Sequence, residues 1–347
     1  MGEQGAGSGR ELERYDFIDL LKGIGIFLVV WGHTMEPRSV YIYSFHMPLF
    51  FFVSGYLHRD KPAREYFPNR IKRLYLPYLI FCALSWLFYL VVMMLRGRWD
   101  AVPAQLSKAV SILNGNANNG GNDTIWFLTC LLITGSLFWI VQRLRKGVLI
   151  WPAVAVSSVL GYMLGFHNVA LPFKTDVALT GLVFYHLGHV AGRGNLIGYT
   201  ERFGKRWFWA VVAAAEMVHI WAAYYNIKLS GIAKVAMTSN NLGNYFLFYA
   251  SALAGIAVMM ALGARIGKIG PLNRLGIDSL LILALHKPIL YLIRLATTGL
   301  VDHRAWYYGL PASLATIALI WPLLGFIRRK LPWVFGIWPA SSKNVAK

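Results

Sequence analysis

Ten apolar runs, set apart by short basic segments, fill most of this chain and restrict it to one kind of fold. They cover approximately residues 17–35, 45–58, 74–95, 125–141, 149–165, 176–191, 207–225, 244–263, 276–297 and 307–327. Runs of this kind cross the roughly 30 Å hydrocarbon core of a bilayer as helices. Hydrophobic residues make up 57% of the chain and charged residues only 14%, against about 25% charged in a soluble domain. Backbone polar groups inside lipid must pair within the protein, which leaves helices or closed barrels. Short strands of alternating polarity are absent, which argues against a barrel. The expected fold is therefore all-α: a polytopic transmembrane helical bundle of about ten spans. The second run is short and contains Gly55, so a tilted or broken helix is expected there.

The basic residues report orientation. With the N-terminus in the cytoplasm, segments on the inner side hold 23 Lys and Arg and segments on the outer side 8; only Lys22, Lys287 and Arg294 fall within spans. That bias supports an even number of spans with both termini cytoplasmic. The formal charge of +19 is thus read as topology signals and contacts with membrane lipids, and a nucleic-acid partner is excluded for want of a basic domain or an aromatic-interleaved module. The first apolar run follows Asp16 and Asp19, contains Lys22 and has no small-residue cleavage site after it, so no cleavable signal is evident. Residues 1–13, Gly-rich and polar, are expected to form a disordered cytoplasmic tail, 14–330 the transmembrane domain and 331–347 a cytoplasmic C-terminal tail. Cys82 and Cys130 lie within apolar runs and read as small buried hydrophobes.

Ionisable groups inside a membrane helix are costly and by default face the protein interior. Lys22 and His33 are eleven residues apart in the first run, about three helical turns, so they share a stripe roughly 16 Å long. In the orientation above, Lys22 is near the cytoplasmic side and His33 near the outer end. His46, Asp123 and Trp126 begin later spans at the same outer level, and His286 and Lys287 lie near mid-membrane. Four distant parts of the sequence thus deliver polar groups to one half of the bundle. The segment 96–124 contains an Asn- and Gly-rich stretch from Asn114 to Asp123, either a flexible connector or a polar lip for a sugar.

Other patterns carry less. His186 and His189 have metal-ligand spacing, but Arg193 stands where a third ligand would follow, and no metal is expected. Gly161 with Gly165, and Gly188 with Gly192, are small-residue pairs suited to close helix packing. The sequence holds no phosphate-binding Gly loop, no Gly-x-Ser-x-Gly elbow and no paired catalytic carboxylates.

Several stretches together resemble the acyltransferase-3 family of integral membrane O-acyltransferases, especially its bacterial fucose 4-O-acetylase-like branch. They are Arg14 to Ile24, Trp31-Gly32-His33, Phe45 to Tyr56, Arg70 to Tyr78 and Trp126-Phe127-Leu128. The family's basic residue, ten intervening residues and histidine are met by Lys22 and His33, with Lys in place of the more usual Arg. Its Arg-x-x-Arg is met by Arg70 and Arg73. The resemblance covers the first 130 residues well and the remainder through span count and a late histidine, His286.

The resemblance implies an acyltransferase of a bacterial inner membrane. It would take acetyl-CoA, or a related acyl-CoA, from the cytoplasm and acylate a hydroxyl of a cell-surface or lipid-linked glycan. The residues fit that chemistry. A thioester is already activated, so the missing element is a base for the acceptor hydroxyl, and His33 is the candidate. His46 would orient His33 or bind acceptor. Lys22 would attract CoA, as would Arg70 and Arg73 if they share a helix face, although anchoring at the cytoplasmic surface also explains that pair. Trp126, Asp123 and His286 are candidates for the acceptor pocket. Asp19, near the cytoplasmic entrance, is a further substrate-binding candidate or the neutralising partner of Lys22. The alternative is a transporter or flippase for a lipid-linked sugar or acyl group.

Overall fold

The computed structural model describes residues 3–34, 39–115, 122–194 and 204–331, with side chains from Asp16 onward. Thirteen α-helices account for most of them: α1 (Glu3–Gly32), α2 (Val40–Tyr56), α3 (Ala63–Arg70), α4 (Leu76–Leu95), α5 (Val102–Leu113), α6 (Trp126–Val141), α7 (Ile150–Phe166), α8 (Thr175–Arg193), α9 (Lys205–Ser230), α10 (Tyr245–Ile266), α11 (Gly270–Ile277), α12 (Ser279–Ala296) and α13 (Gly309–Lys330). No strand is present among the described residues, so the all-helical class stands.

Each of the ten apolar runs coincides with a helix, but not every helix qualifies as a span. Among the described residues, six segments are long and apolar enough to cross a membrane: Ala63–Leu95, Asp123–Val141, Arg206–Ser230, Tyr245–Ile266, Ser279–Ala296 and Gly309–Lys330. Ile150–Phe166 is apolar but shorter. Helix α2 has only 17 residues, and α1 and α8 are interrupted by charged and imidazole side chains that face other helices. The ten runs thus appear as helices, but six segments, not ten, have the length and composition of a span among the described residues. Three further helices, α3, α5 and α11, lie in segments read as connections. Helix α1 also starts at Glu3, inside the segment for which the sequence predicts disorder.

Helix α2 is continuous, not broken. Pro48 sits inside it, and Gly55 serves as a contact surface rather than an interruption. A Cβ on Gly55 would meet the Tyr185 carbonyl oxygen at 1.8 Å; on Gly188 it would meet that of Phe52 at 1.9 Å, and on Gly192 that of Tyr56 at 2.4 Å. Helices α2 and α8 thus touch backbone to backbone, as glycine allows between membrane helices. Helices α1 and α11 do the same, Gly23 against Leu272 and Gly276 against Asp19. Gly161 and Gly165 pack α7 against Thr180 and Asn240.

Around these contacts runs one large core that takes Phe17, Leu21, Val30, Phe45, Phe51, Phe127, Phe184, Phe248 and Ile282 from helices α1, α2, α6, α8, α10 and α12. The outer faces of α4, α7 and α9 expose Leu84, Leu87, Val91, Val156, Leu160, Met217 and Trp221. An apolar surface of that extent is suited to lipid. Cys82 and Cys130 are buried thiols.

Polar ties join the helices where glycine does not. Fully buried Asp278 accepts from Arg274 Nε at 3.0 Å and pairs with Arg328 at the end of α13. Ser44 on α2 meets His219 Nε2 on α9 at 2.8 Å, and His219 Nδ1 lies 3.2 Å from Glu216. This hydroxyl–imidazole–carboxylate line is a helix-to-helix tie, because the Ser44 hydroxyl donates to the Tyr41 carbonyl at 2.7 Å.

The α2–α8 contact predicts that Gly188→Ala forces the helices apart and lowers stability by about 1–3 kcal/mol, the usual cost of overpacking. Gly325→Ala, where the added Cβ meets nothing within 4 Å, is expected to be neutral. Thermal melting of both variants in detergent distinguishes the two outcomes.

Candidate active site

His33 follows the last residue of α1, with its amide 3.2 Å from the Val29 carbonyl, so it completes the helix's final turn. Its Nδ1 lies 3.3 Å from the Tyr43 hydroxyl on α2. The His46 ring stands 5.0 Å from the Tyr43 ring, and His46 Nδ1 donates to the Ile42 carbonyl at 2.7 Å. On α12, the His286 ring lies 5.2 Å from that of His33. His286 Nδ1 donates to the Ile282 carbonyl at 2.9 Å, and its Nε2 is buried without a hydrogen-bond partner. The His33 ring thus lies beside that of His286, and Tyr43 stands next to both His33 and His46.

Charged groups adjoin these residues. Lys287 pairs with Asp123 at the entry to α6. Asp123 is held in place by its neighbours: Asn122 Nδ2 donates to Ser85 Oγ and to the Ala284 carbonyl, both at 2.8 Å, and Thr124 Oγ1 donates to the Leu283 carbonyl at 3.2 Å. Arg294 Nη2 donates to the His33 carbonyl at 2.8 Å. Lys234, from the segment between α9 and α10, lies 4.1 Å from the centre of the Tyr43 ring. That segment is pinned by a two-bond bridge between Ala236 and Asn241 and by Lys174 Nζ donating to the Thr238 carbonyl.

Two cavities are lined by His33, and a third shares wall residues with one of them. One of about 210 Å³ is lined by His33, His46, Tyr43, Asp123, Trp126 and Lys234, among others. A second, of about 410 Å³, shares His33 and Lys287 with it and extends to Arg96 and Arg294. A third, of about 150 Å³, shares Val29, Met47 and Leu283 with the first and is almost wholly apolar; it runs along α1 past Ile26 to Lys22. The cavities thus form a series alongside the stripe that carries Lys22 and His33. No cluster of three or more His, Cys, Asp or Glu able to hold a metal occurs among the described residues.

The model of a known family, described as an acyltransferase domain of the acyltransferase-3 type, matches residues 15–325. The chain belongs to the acyltransferase-3 family. It is 26% identical over 269 residues to the nodulation protein NolL of Mesorhizobium japonicum, a match covering 70% of this chain and 65% of that protein. It is 36% identical over 99 residues to the nodulation protein NolL of Sinorhizobium fredii, covering 24% of this chain and 27% of that protein. The chain thus spans less than two thirds of either relative. No solved structure matches it.

Of the residues singled out in this acyltransferase-3 chain, the structure gathers His33, His46, Asp123, Trp126 and His286 at one end and places Lys22 at the far end of the cavity series. Asp19 pairs with Lys22 at 2.7 Å. His46 is inside α2, in its second turn, rather than at the start of a span. Arg70 and Arg73 do not form a two-armed clamp. A π-helical turn over Ile71–Tyr75 separates them in orientation. Arg70 turns inward against Gly135 and Tyr66 and donates to the Leu131 carbonyl at 3.1 Å, while Arg73 is exposed. Of the Asn-rich stretch, residues 116–121 lie outside the described residues, as do residues 332–347 of the C-terminal tail.

Sequence reasoning missed Tyr43 and Lys234. Tyr43 stands one helical turn before His46, a signal open to inspection. Lys234 is basic in a segment on the sparsely basic side of the charge count, which is the mark of a cation kept for something other than topology. The cavity geometry predicts that diethyl pyrocarbonate modifies His33 well before His286, which is fully buried and lines none of the three cavities. Mass spectrometry of the detergent-solubilised protein reads both positions.

Proposed function

We propose that this chain is a multi-pass O-acyltransferase of a bacterial inner membrane. It moves an acetyl group from cytoplasmic acetyl-CoA to a hydroxyl of a cell-surface or lipid-linked glycan, with His33 as general base. The observation that carries this reading is the run of cavities from Lys22 to His33. An apolar, narrow passage with an ammonium at its far end suits an extended pantetheine arm whose phosphates remain near Lys22, and eleven helical residues span about 16 Å. The wider, polar space beyond His33 suits a sugar. Trp126 offers it a ring face, and Asp123 and His46 offer hydrogen bonds.

The proton balance is simple. With Nδ1–H of His33 donating to the Tyr43 hydroxyl, Nε2 holds the lone pair that takes the acceptor's proton. The alkoxide oxygen bonds to the thioester carbonyl carbon, the carbon–sulfur bond breaks, and the imidazolium returns its proton to the departing thiolate. Lys287, fixed by Asp123, supplies positive charge beside the carbonyl oxygen as it becomes anionic.

Two measurements test the assignment. His33→Ala is expected to lower acceptor-dependent release of CoA by about 10²–10⁴-fold, the usual worth of a general base, in a protein that still inserts and melts normally. Lys22→Ala is expected to raise the KM for acetyl-CoA about tenfold, as loss of one hydrogen bond to a charged group does, with a smaller effect on kcat. Full activity in His33→Ala would refute the base.

A further inference from the structure

The cavity of about 410 Å³ beside His33 gathers four cations, Arg96, Arg98, Lys287 and Arg294, together with the Tyr89 and Tyr291 hydroxyls. Only Lys287 has its charge met by a carboxylate; among the described residues, no acid pairs with Arg96, Arg98 or Arg294. Arg96 Nη1 donates to the Tyr291 hydroxyl at 3.0 Å, which aims one guanidinium across the cavity. Arg294 spends Nη2 on the His33 carbonyl, and its Nε is buried without a partner. A partly buried cation without a counter-ion, as at Arg294, is costly, and a ligand of opposite charge removes the cost; Arg96 and Arg98 are exposed and line the same cavity. Arg96, Arg98 and Lys234 are also three of the eight cations on the sparsely basic side of the charge count. Nothing in topology requires them there.

The geometry points to an anion subsite that holds a diphosphate carried by the acceptor, next to the sugar hydroxyl that is acylated. This rests on the reading of His33 as the acylation centre. Three guanidinium forks present more donors than one carboxylate can accept, whereas a diphosphate offers several oxygens in the geometry that arginine recognises. The donor's own diphosphate does not fit here. The pantetheine arm separates it from the thioester, so it cannot lie against His33 while the acyl group does too.

The test is equilibrium binding of radiolabelled inorganic pyrophosphate to the purified full-length protein in detergent. Saturable binding is expected, weakened about tenfold or more in Arg96→Gln/Arg98→Gln, since each charge-assisted bond contributes about a factor of ten. These two side chains are exposed, and an unchanged melting temperature shows that the fold survives. Arg304→Gln serves as a control and should bind as the wild type does. His33→Ala should keep pyrophosphate binding even though transfer is lost, which separates failure of the subsite from failure of the proposed reaction. Unchanged affinity in the double variant overturns the inference. So does displacement of pyrophosphate by glucuronate at equal concentration, which would mean a carboxylate site. A rise in the KM for acetyl-CoA in the double variant, together with displacement by CoA, would assign the cations to the donor and also overturn it.

Discussion

A charge inside a membrane bundle has to be turned toward other protein groups, and that requirement arranges the polar end of this molecule. Lys287 finds Asp123 across the gap between α12 and α6. Arg294 finds the exposed carbonyl at the end of α1. Each such tie draws a helix end toward His33, so the same bonds that engage the charged groups also assemble the cavity walls. The cost of burying ions makes the arrangement specific: remove one partner and the other is left uncompensated.

The glycine contacts make this possible. Backbone contact between α1 and α11, and between α2 and α8, brings helices closer than side chains would allow. At the other end of α1, His33 comes within 3.3 Å of the Tyr43 hydroxyl on α2 and its ring within 5.2 Å of that of His286 on α12. A site built on helices rather than on loops holds its groups in fixed relation.

How much of this was legible in the sequence depends on how local the cause is. Lys22 and His33 could be read because three turns of one helix fix their relation. The helices themselves follow from apolar run length, and the glycine pairs from their spacing of four. Arg70 and Arg73 were misread because a π-helical turn intervenes, and their spacing of three gives no sign of it. Lys234 reaches Tyr43 only because the Ala236–Asn241 bridge folds its segment back over the site, a tertiary effect without a local signature. Tyr43 fell between these cases: its helix was foreseen, but its bond to His33 depends on how α1 and α2 cross.

Asp278 has a mechanical consequence. It joins the end of α11 to the start of α12 and binds the end of α13 through Arg328, so one carboxylate ties three helices together. The opposite wall of the narrow cavity is made by the apolar side chains Phe50, Leu74, Phe127 and Leu131; the ionic tie between α6 and α12 lies at the other end, at Asp123 and Lys287. Dispersion contacts slide where charged bonds must break. Near Lys22 the two walls of the narrow cavity are therefore joined by dispersion, and the bonds that fix their spacing sit at the His33 end.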